Sequence, residues 1–451
     1  MPEFETNTAI ENLLMKFSAS FDFIHRELDM THTPMHIYFF ASLCDISLVE
    51  QFLIKPYYDA ESEINYEFYL QSLPGFKTIQ NPLEIESLLW SGHVLLQLDN
   101  ELYIFKINQP SPTSSPAQSN IEAVVLGPNV SFTESISENM KILRHRYLSE
   151  TLRTEFLQLG HPFKLSVALV YDLHAADQET LRAIKARLSQ FEGNPYIRMD
   201  QVQQLLSHNK WGIFPSVMMT QRPDRTIKYL LEGKIALMAE GLSNMYIVPV
   251  SFFDFFMAMD DLYQISFIGK VMAALRYVGL SISVLLPSVY VVLISFNPEL
   301  LRLELALPIA GSRVLVPYPS FLEVLFMLLM MELLAEASIR LPRLIGPAAT
   351  TVGGLILGQA VTQAGLASSI MIIIVSSVAI SNFIIPNYSM SFSVRIIKYP
   401  LLILSTLFGA VGFLGGIVML VFHLANIPNY GKPYLQIFSG VLSRRTRGIR
   451  R

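Results

Sequence analysis

Residues 344–394 read LIGPAATTVGGLILGQAVTQAGLASSIMIIIVSSVAISNFIIPNYSMSFSV, without a single Lys, Arg, Asp or Glu. A helix crossing the hydrocarbon core needs about 20 apolar residues, because every backbone polar group must bond within the segment. The stretch is long enough for two spans, expected at 347–364 and 367–386 with a tight turn near Gly365. Outward from it, 399–431 is equally free of these residues, with His423 its only ionisable side chain other than tyrosine, and 277–298 is a third such run. These add spans at 277–296 and 400–425. The composition agrees: 51% of residues are hydrophobic, 16% are charged and the mean hydropathy is +0.40. A soluble domain carries about a quarter charged residues. The expected fold is therefore an α/β soluble N-terminal region in two subdomains (1–120 and 121–264). An all-α polytopic membrane domain of four to six helices (265–438) and a basic tail (439–451) follow.

The first 31 residues are polar, carrying Glu3, Glu5, Glu11, Asp22 and Glu27, and show no secretory leader. Lys270 and Arg276 precede the first span, which predicts a cytosolic N-terminal region. The one cysteine, Cys44, lies in an apolar run and reads as a buried core thiol. Strand-like runs fall at 35–40, 94–98, 102–107, 123–126, 165–171, 217–220, 235–239 and 245–248. Helical periodicity is expected over 133–147, 178–191 and 223–231, and the Pro/Ser/Gln-rich stretch 108–120 reads as a loop joining the subdomains. There is no phosphate loop, dinucleotide fingerprint or His pair at metal-ligand spacing, so neither an enzyme nor a cofactor is expected. The net charge of −4 gives nucleic acid binding no electrostatic support.

The segment 321–338, FLEVLFMLLMMELLAEAS, is apolar yet carries Glu323, Glu332 and Glu336. On a helix Glu332 and Glu336 share a face and Glu323 points away. Ionisable residues at membrane depth are costly and face a bundle interior or a water-filled path. In one reading the three glutamates line a pore and favour cations. In the other the helix lies at the interface, its Glu pair facing water or pairing with Arg340 and Arg343, which read as a membrane-edge anchor. The small residues Gly353, Gly354, Gly358, Gly412 and Gly416 predict close helix packing. The distribution of basic residues leaves an odd number of crossings. One segment must be re-entrant or split, with Pro287, Pro386 and the Gly-rich middle of 400–425 as candidate breaks.

A set of ordered motifs runs from 121 to 438. It includes Gly127-Pro128, Phe132-Thr133-Glu134, Arg222-Pro223-Asp224, Leu286-Pro287-Ser288, Pro317-Tyr318-Pro319, Arg340-Leu341-Pro342, Ile345-Gly346 and Ile385-Pro386-Asn387-Tyr388. In their order and spacing they resemble the A-subunit family of spore germination receptors, the GerA-type proteins of endospore-forming bacteria. Ser131, Ala335 and Ser338 depart from the pattern, which often has Gly, Arg and Gly there. The resemblance implies a multi-pass protein of the spore inner membrane that senses nutrients together with a transporter-like B subunit and a lipoprotein C subunit. It also implies assembly of the chain with itself into a homo-oligomeric pore with cations as permeants. The same motifs fit the stage V sporulation AF-type branch, which amplifies germination. A non-conducting membrane scaffold and a secondary transporter are the other readings; the latter requires two repeated halves, and no internal repeat is present.

Overall fold

The computed structural model describes residues 22–28, 34–59, 63–73, 75–79, 84–98, 101–107, 130–162, 164–191, 201–207, 212–341 and 346–436, with Phe17, Ser20, Gly127 and Pro128 as isolated positions. The expected strand 123–126, the loop 108–120, Pro342, Arg343 and the tail 439–451 lie outside the described residues. The chain forms two compact units. One takes 1–123, 128–208 and 217–250, and the other takes 124–127, 209–216 and 251–451.

The first unit contains two five-stranded sheets. One has the order β1 (Phe23–Leu28), β2 (Met35–Phe40), β4 (His93–Leu98), β5 (Glu101–Lys106), β3 (Lys77–Thr78). Its second strand in this order, MHIYFF, alternates between two cores. Ile37 and Phe39 pack with Tyr57, Tyr66 and Leu70 from the helical segments preceding β3. Tyr38 and Phe40 pack with Leu89 and Trp90 of the helix Ile85–Trp90. A sheet buried on both faces reads as a nearly continuous apolar run, as β2 does. The other sheet has the order β6 (Leu152–Leu159), β7 (Leu165–Asp172), β9 (Ile235–Ala239), β10 (Met245–Val248), β8 (Met218–Thr220). Every described pairing in both sheets is antiparallel. The helices α1 (Ile136–Arg146), α2 (Gln178–Ser189) and α3 (Pro223–Leu231) accompany the second sheet. Strands β1, β3 and β6, absent from the expected set, carry charged residues such as Arg26, Glu27, Arg153 and Glu155. β1, β3 and β6 also stand at sheet edges, where one row of backbone groups has no ladder partner.

The two sheets are joined by a buried ion pair. Arg144 of α1 donates from Nε and Nη2 to the two oxygens of Asp22, each at 3.2 Å, and from Nη1 to Leu152 O at 3.1 Å. Its guanidinium lies 4.5 Å from the centre of the Trp90 ring, and Ser42 Oγ donates to Asp22 at 2.7 Å. Asp172 closes the far end of β7. It accepts from the hydroxyls of Tyr147 and Thr151 and from the N–H groups of His174 and Ala175. Burial pushes the Asp172 carboxyl up, but the four hydrogen bonds outweigh it and hold its pKa below the ordinary value. A depressed carboxylate stabilises the fold above its unfolded pKa and loses that contribution as pH falls through the folded value. Asp172→Asn is therefore expected to cost about 1.5–3 kcal/mol at pH 7. In thermal unfolding across pH, the deficit shrinks once pH drops below about 4. A deficit constant from pH 7 to 3 would contradict this account.

The second unit is helical. Its long elements are α4 (Ser266–Ser295), α5 (Leu303–Arg313), α6 (Ser320–Arg340), α7 (Gly346–Gln363), α8 (Ser369–Phe383) and α9 (Tyr388–Ala425). Among the described residues two helices, α4 and α9, are long and apolar enough to cross a membrane, against four expected spans. The 15 residues of α8 cover only about 22 Å at 1.5 Å per residue, short of a core about 30 Å thick. α4 runs on through Pro287, so the break expected somewhere in the bundle is not there.

It lies at Gly409, in the Gly-rich middle of 400–425 that was one of the candidates, with φ 59° and ψ −137° inside α9. Past this residue the chain doubles back. A Cβ at Gly412 would run into Leu404 O, and one at Gly416 would press on Leu401 and Leu404. Residues eight and twelve apart are in contact here, although a straight helix would hold Gly412 and Leu404 about 12 Å apart. α9 is thus two antiparallel arms, 388–408 and 410–425, meeting at Gly409. The tip lies against the ring of Phe296, just past the end of α4. The foot of the second arm reaches the other end of α4: His423 lies near Phe214, and Tyr434 O accepts from Phe252 N at 2.8 Å. Tyr434 is fully buried and donates to Pro215 O at 2.7 Å. The fold-back returns the chain to the end at which α4 begins.

Candidate functional site

The three glutamates of α6 have different surroundings. Glu323, in the first turn, is fully buried. Its Oε1 accepts from both the N–H and the Oγ of Ser368 at 2.7 Å, and its Oε2 lies 3.3 Å from Arg313 Nε of α5. Ser368 also N-caps α8, accepting from Met371 N at 3.2 Å, so Glu323 fixes the entry to that helix. Glu332 is engaged by two cations from the first arm of α9. Arg395 donates from Nε at 2.7 Å and from Nη2 to one oxygen, and Lys398 Nζ donates at 2.9 Å to the other. The Arg395 guanidinium also covers the Phe392 ring at 5.1 Å. Glu336 pairs one turn on with Arg340, which donates from Nε at 3.0 Å and from Nη2 at 2.7 Å. Both are exposed, so this contact adds little stability.

Glu332 and Glu336, one turn apart, thus serve different partners. Arg395 and Lys398 were not among the expected site residues. They are the only Lys or Arg between Leu344 and Gly431, three apart and hence on one helix face. That isolation was the signal available in the sequence. A cavity of about 70 Å³ opens beside the cluster, with Glu332, Asn382, Ser391, Arg395 and Lys398 as its polar lining. The exposed residues of α6 form a second feature. Leu322, Phe326, Leu329 and Leu333 are exposed at alternating spacings of four and three, and the series ends on Glu336 and Arg340. Among the described residues this is an unpartnered apolar stripe with a charged end.

The packing glycines divide as well. Gly353 and Gly354 face Leu334 of α6, Gly412 and Gly416 close the α9 fold-back, and nothing lies within 4 Å of a Cβ placed on Gly358. In the first unit the motif residues gather at the start of α3. Pro223 occupies the first turn, Arg222 Nη2 pairs with Asp224 at 2.6 Å, and Phe132 N donates to Gln221 O at 2.9 Å. Gly241 N donates to Glu134 O at 2.8 Å. Gly127 has φ 138°, and Pro128 follows it. Gly346 opens α7, and Pro386 separates α8 from α9, whose cap is Asn387. His25 and His36 stand 3.3 Å apart across the β1–β2 ladder. Among the described residues no group of three or more His, Cys, Asp or Glu could hold a metal ion.

Two antiparallel sheets in one unit, and in another an apolar helical bundle holding buried carboxylate–cation pairs, describe a protein with a soluble part and a membrane-type part. Residues 11–449 match the model of the family described as Bacillus/Clostridium GerA spore germination protein, and the chain belongs to that family. It is 31% identical over 427 residues to spore germination protein KA of Bacillus subtilis (strain 168), covering 92% of this chain and 78% of that one. It is 30% identical over 400 residues to spore germination protein B1 of the same organism, covering 87% and 83%. Spore germination protein GerQA of Bacillus cereus is 29% identical over 432 residues, covering 95% and 86%. A solved structure, the N-terminal domain of the A subunit of the Bacillus megaterium spore germinant receptor GerK3, matches with a TM-score of 0.41 and 22% identity, over 54% of this chain and 94% of that one.

Proposed function

We propose that this chain is the A subunit of a spore germinant receptor and acts in nutrient-triggered germination as a homo-oligomeric, cation-conducting channel in the spore inner membrane. The first unit lies in the cytosol, a transporter-like B subunit and a lipoprotein C subunit are its partners, and no enzymatic step is involved. Family membership supports the germination role. The observation that carries the channel reading is the α6 stripe Leu322, Phe326, Leu329, Leu333, Glu336. A carboxylate at the end of an exposed apolar face is unfavourable against lipid. Facing its copies around a ring, the same stripe makes an apolar constriction that gates by dewetting, with an acidic ring at one mouth. Glu323 and Glu332, each held by a cation from another helix, support the wall; Glu336, paired only with the exposed Arg340 one turn on, is the carboxylate open to solvent that meets the permeant ion.

The test is potassium flux from liposomes containing the purified protein. Glu336→Gln is expected to lower the flux several-fold and to reduce the preference for cations over chloride. Absence of flux from the unaltered protein, or flux unchanged in the Glu332→Gln, Glu336→Gln double variant, would remove the channel assignment. In-spore cross-linking that finds the chain only with other proteins, and never with itself, would favour a scaffold.

A further inference from the structure

We propose that the cavity between α6, α8 and the first arm of α9 is a binding site for a phosphate-type oxyanion, held by Lys398 and Arg395. The inference stands on the charge balance of this cavity and does not depend on the channel reading.

Of the side chains lining the cavity, Glu332 is the one carboxylate and Arg395 and Lys398 are the two cations, which leaves one positive charge uncompensated. Lys398 is 1% exposed. A charge taken that far from water is costly unless it is paired and its remaining donors are satisfied. The donors here outnumber the acceptors. An ammonium group has three N–H donors and a guanidinium five. Among the described residues Lys398 Nζ has one hydrogen bond, to Glu332, and Arg395 uses only Nε and Nη2. The Asn382 amide, whose Oδ1 accepts from Ser283 Oγ at 2.5 Å, has an N–H₂ group to give. Ser391, whose Oγ donates to Asn382 O at 3.4 Å, also lines the cavity. The space suits the charge. A water requires on the order of 10–15 Å³ of such volume, so about 70 Å³ accepts several waters or one small oxyanion. A tetrahedral monoanion would neutralise the cluster and take the spare N–H groups of Lys398, Arg395 and Asn382 together. It would also tie α6 to α9 through both of the cations that hold Glu332.

Two sources supply this chemistry, the phosphodiester of a net-anionic lipid headgroup, which zwitterionic phosphatidylcholine lacks, and free phosphate. Thermal unfolding of the full-length protein in nanodiscs separates them. In phosphatidylcholine discs, sodium phosphate is expected to raise Tm by several degrees in a saturable manner, relative to sodium chloride of equal ionic strength. If phosphatidylglycerol discs give the same rise without phosphate and abolish the response to it, the lipid headgroup is the occupant. If they do not, the free anion is. Lys398→Met and the milder Arg395→Gln should each weaken the apparent affinity at least tenfold. Glu332→Gln, which removes the competing carboxylate, should tighten it, a change of opposite sign that a purely structural role for the cluster does not produce. General stabilisation by an excluded anion does not saturate and survives all three substitutions. That outcome, or no response to phosphate in phosphatidylcholine together with equal Tm in the two lipids, would overturn the proposal.

Discussion

Arg144→Ala is expected to destabilise the first unit by about 3–5 kcal/mol, the cost of breaking a buried ion pair from one side. The side chains of Arg144 and Asp22 are 0% and 2% exposed, so no water can take over the lost bonds. The alanine would strand the Asp22 carboxylate with Ser42 Oγ as its remaining side-chain donor among the described residues, leave Leu152 O without the guanidinium and open a void against Trp90 and Phe40. Asp22 precedes β1 of the first sheet, while Leu152 opens β6 of the second, so this one guanidinium spans both. The change should appear as a lower unfolding midpoint and as altered emission from Trp90, one of only two tryptophans in the chain. Removing both charges at once, as in Arg144→Leu with Asp22→Leu, should cost much less, because apolar replacements leave no unpaired charge. If the single substitution costs under about 1 kcal/mol, or the double one costs as much as the sum of its parts, the pair is not what joins the sheets.

The sequence was legible where one physical cause acted locally. Strands β2, β9 and β10 and helix α3 have the bounds that their apolar runs and the Pro223 start predict. β1 and β6 were hidden because an edge strand can expose Arg26, Glu27 or Glu155, and the apolar run that marks a central strand is then absent. The site was legible in part. That the glutamates of α6 need an explanation follows from composition alone. Their partners do not, because Glu332 meets Arg395 and Lys398 across 63 and 66 positions, and Glu323 meets Ser368 across 45. The i, i+4 rule was informative for Glu336 and Arg340, where nothing tertiary competes, and misleading for Glu332 and Glu336, where burial against α9 decides. The odd crossing was visible as a contradiction among basic residues. One of the three candidate breaks, the Gly-rich middle of 400–425, is where α9 folds back, but the φ of Gly409 that chooses it is encoded in no periodicity.

Gly412→Leu should prevent the two arms of α9 from closing. A Cβ at this position falls within the van der Waals envelope of Leu404 O and 2.8 Å from Phe408 Cβ, and backbone cannot move aside as the end of a flexible side chain can. A Leu adds three more carbons to that clash. Overpacking costs about 1–3 kcal/mol where side chains can shift, and here the obstacle is the facing backbone, so the arms must separate. Gly409→Val acts through a different cause, since φ 59° with ψ −137° is open to glycine and costs other residues about 1–3 kcal/mol. The consequence is topological. With the fold-back intact, a cysteine placed at Asn426 is labelled by a membrane-impermeant maleimide from the same side as one placed at Ser266. Cys44 does not confuse the assay, because burial pushes its thiol pKa up to about 12 and it carries no thiolate at neutral pH. In Gly412→Leu the Asn426 label is expected to move to the opposite side or to be lost with the protein, while the Ser266 label stays where it was in whatever protein remains. Labelling of Asn426→Cys and Ser266→Cys from opposite sides in the otherwise unaltered chain would refute the fold-back. A straight α9 would then cross the membrane and carry Tyr434 away from Phe252.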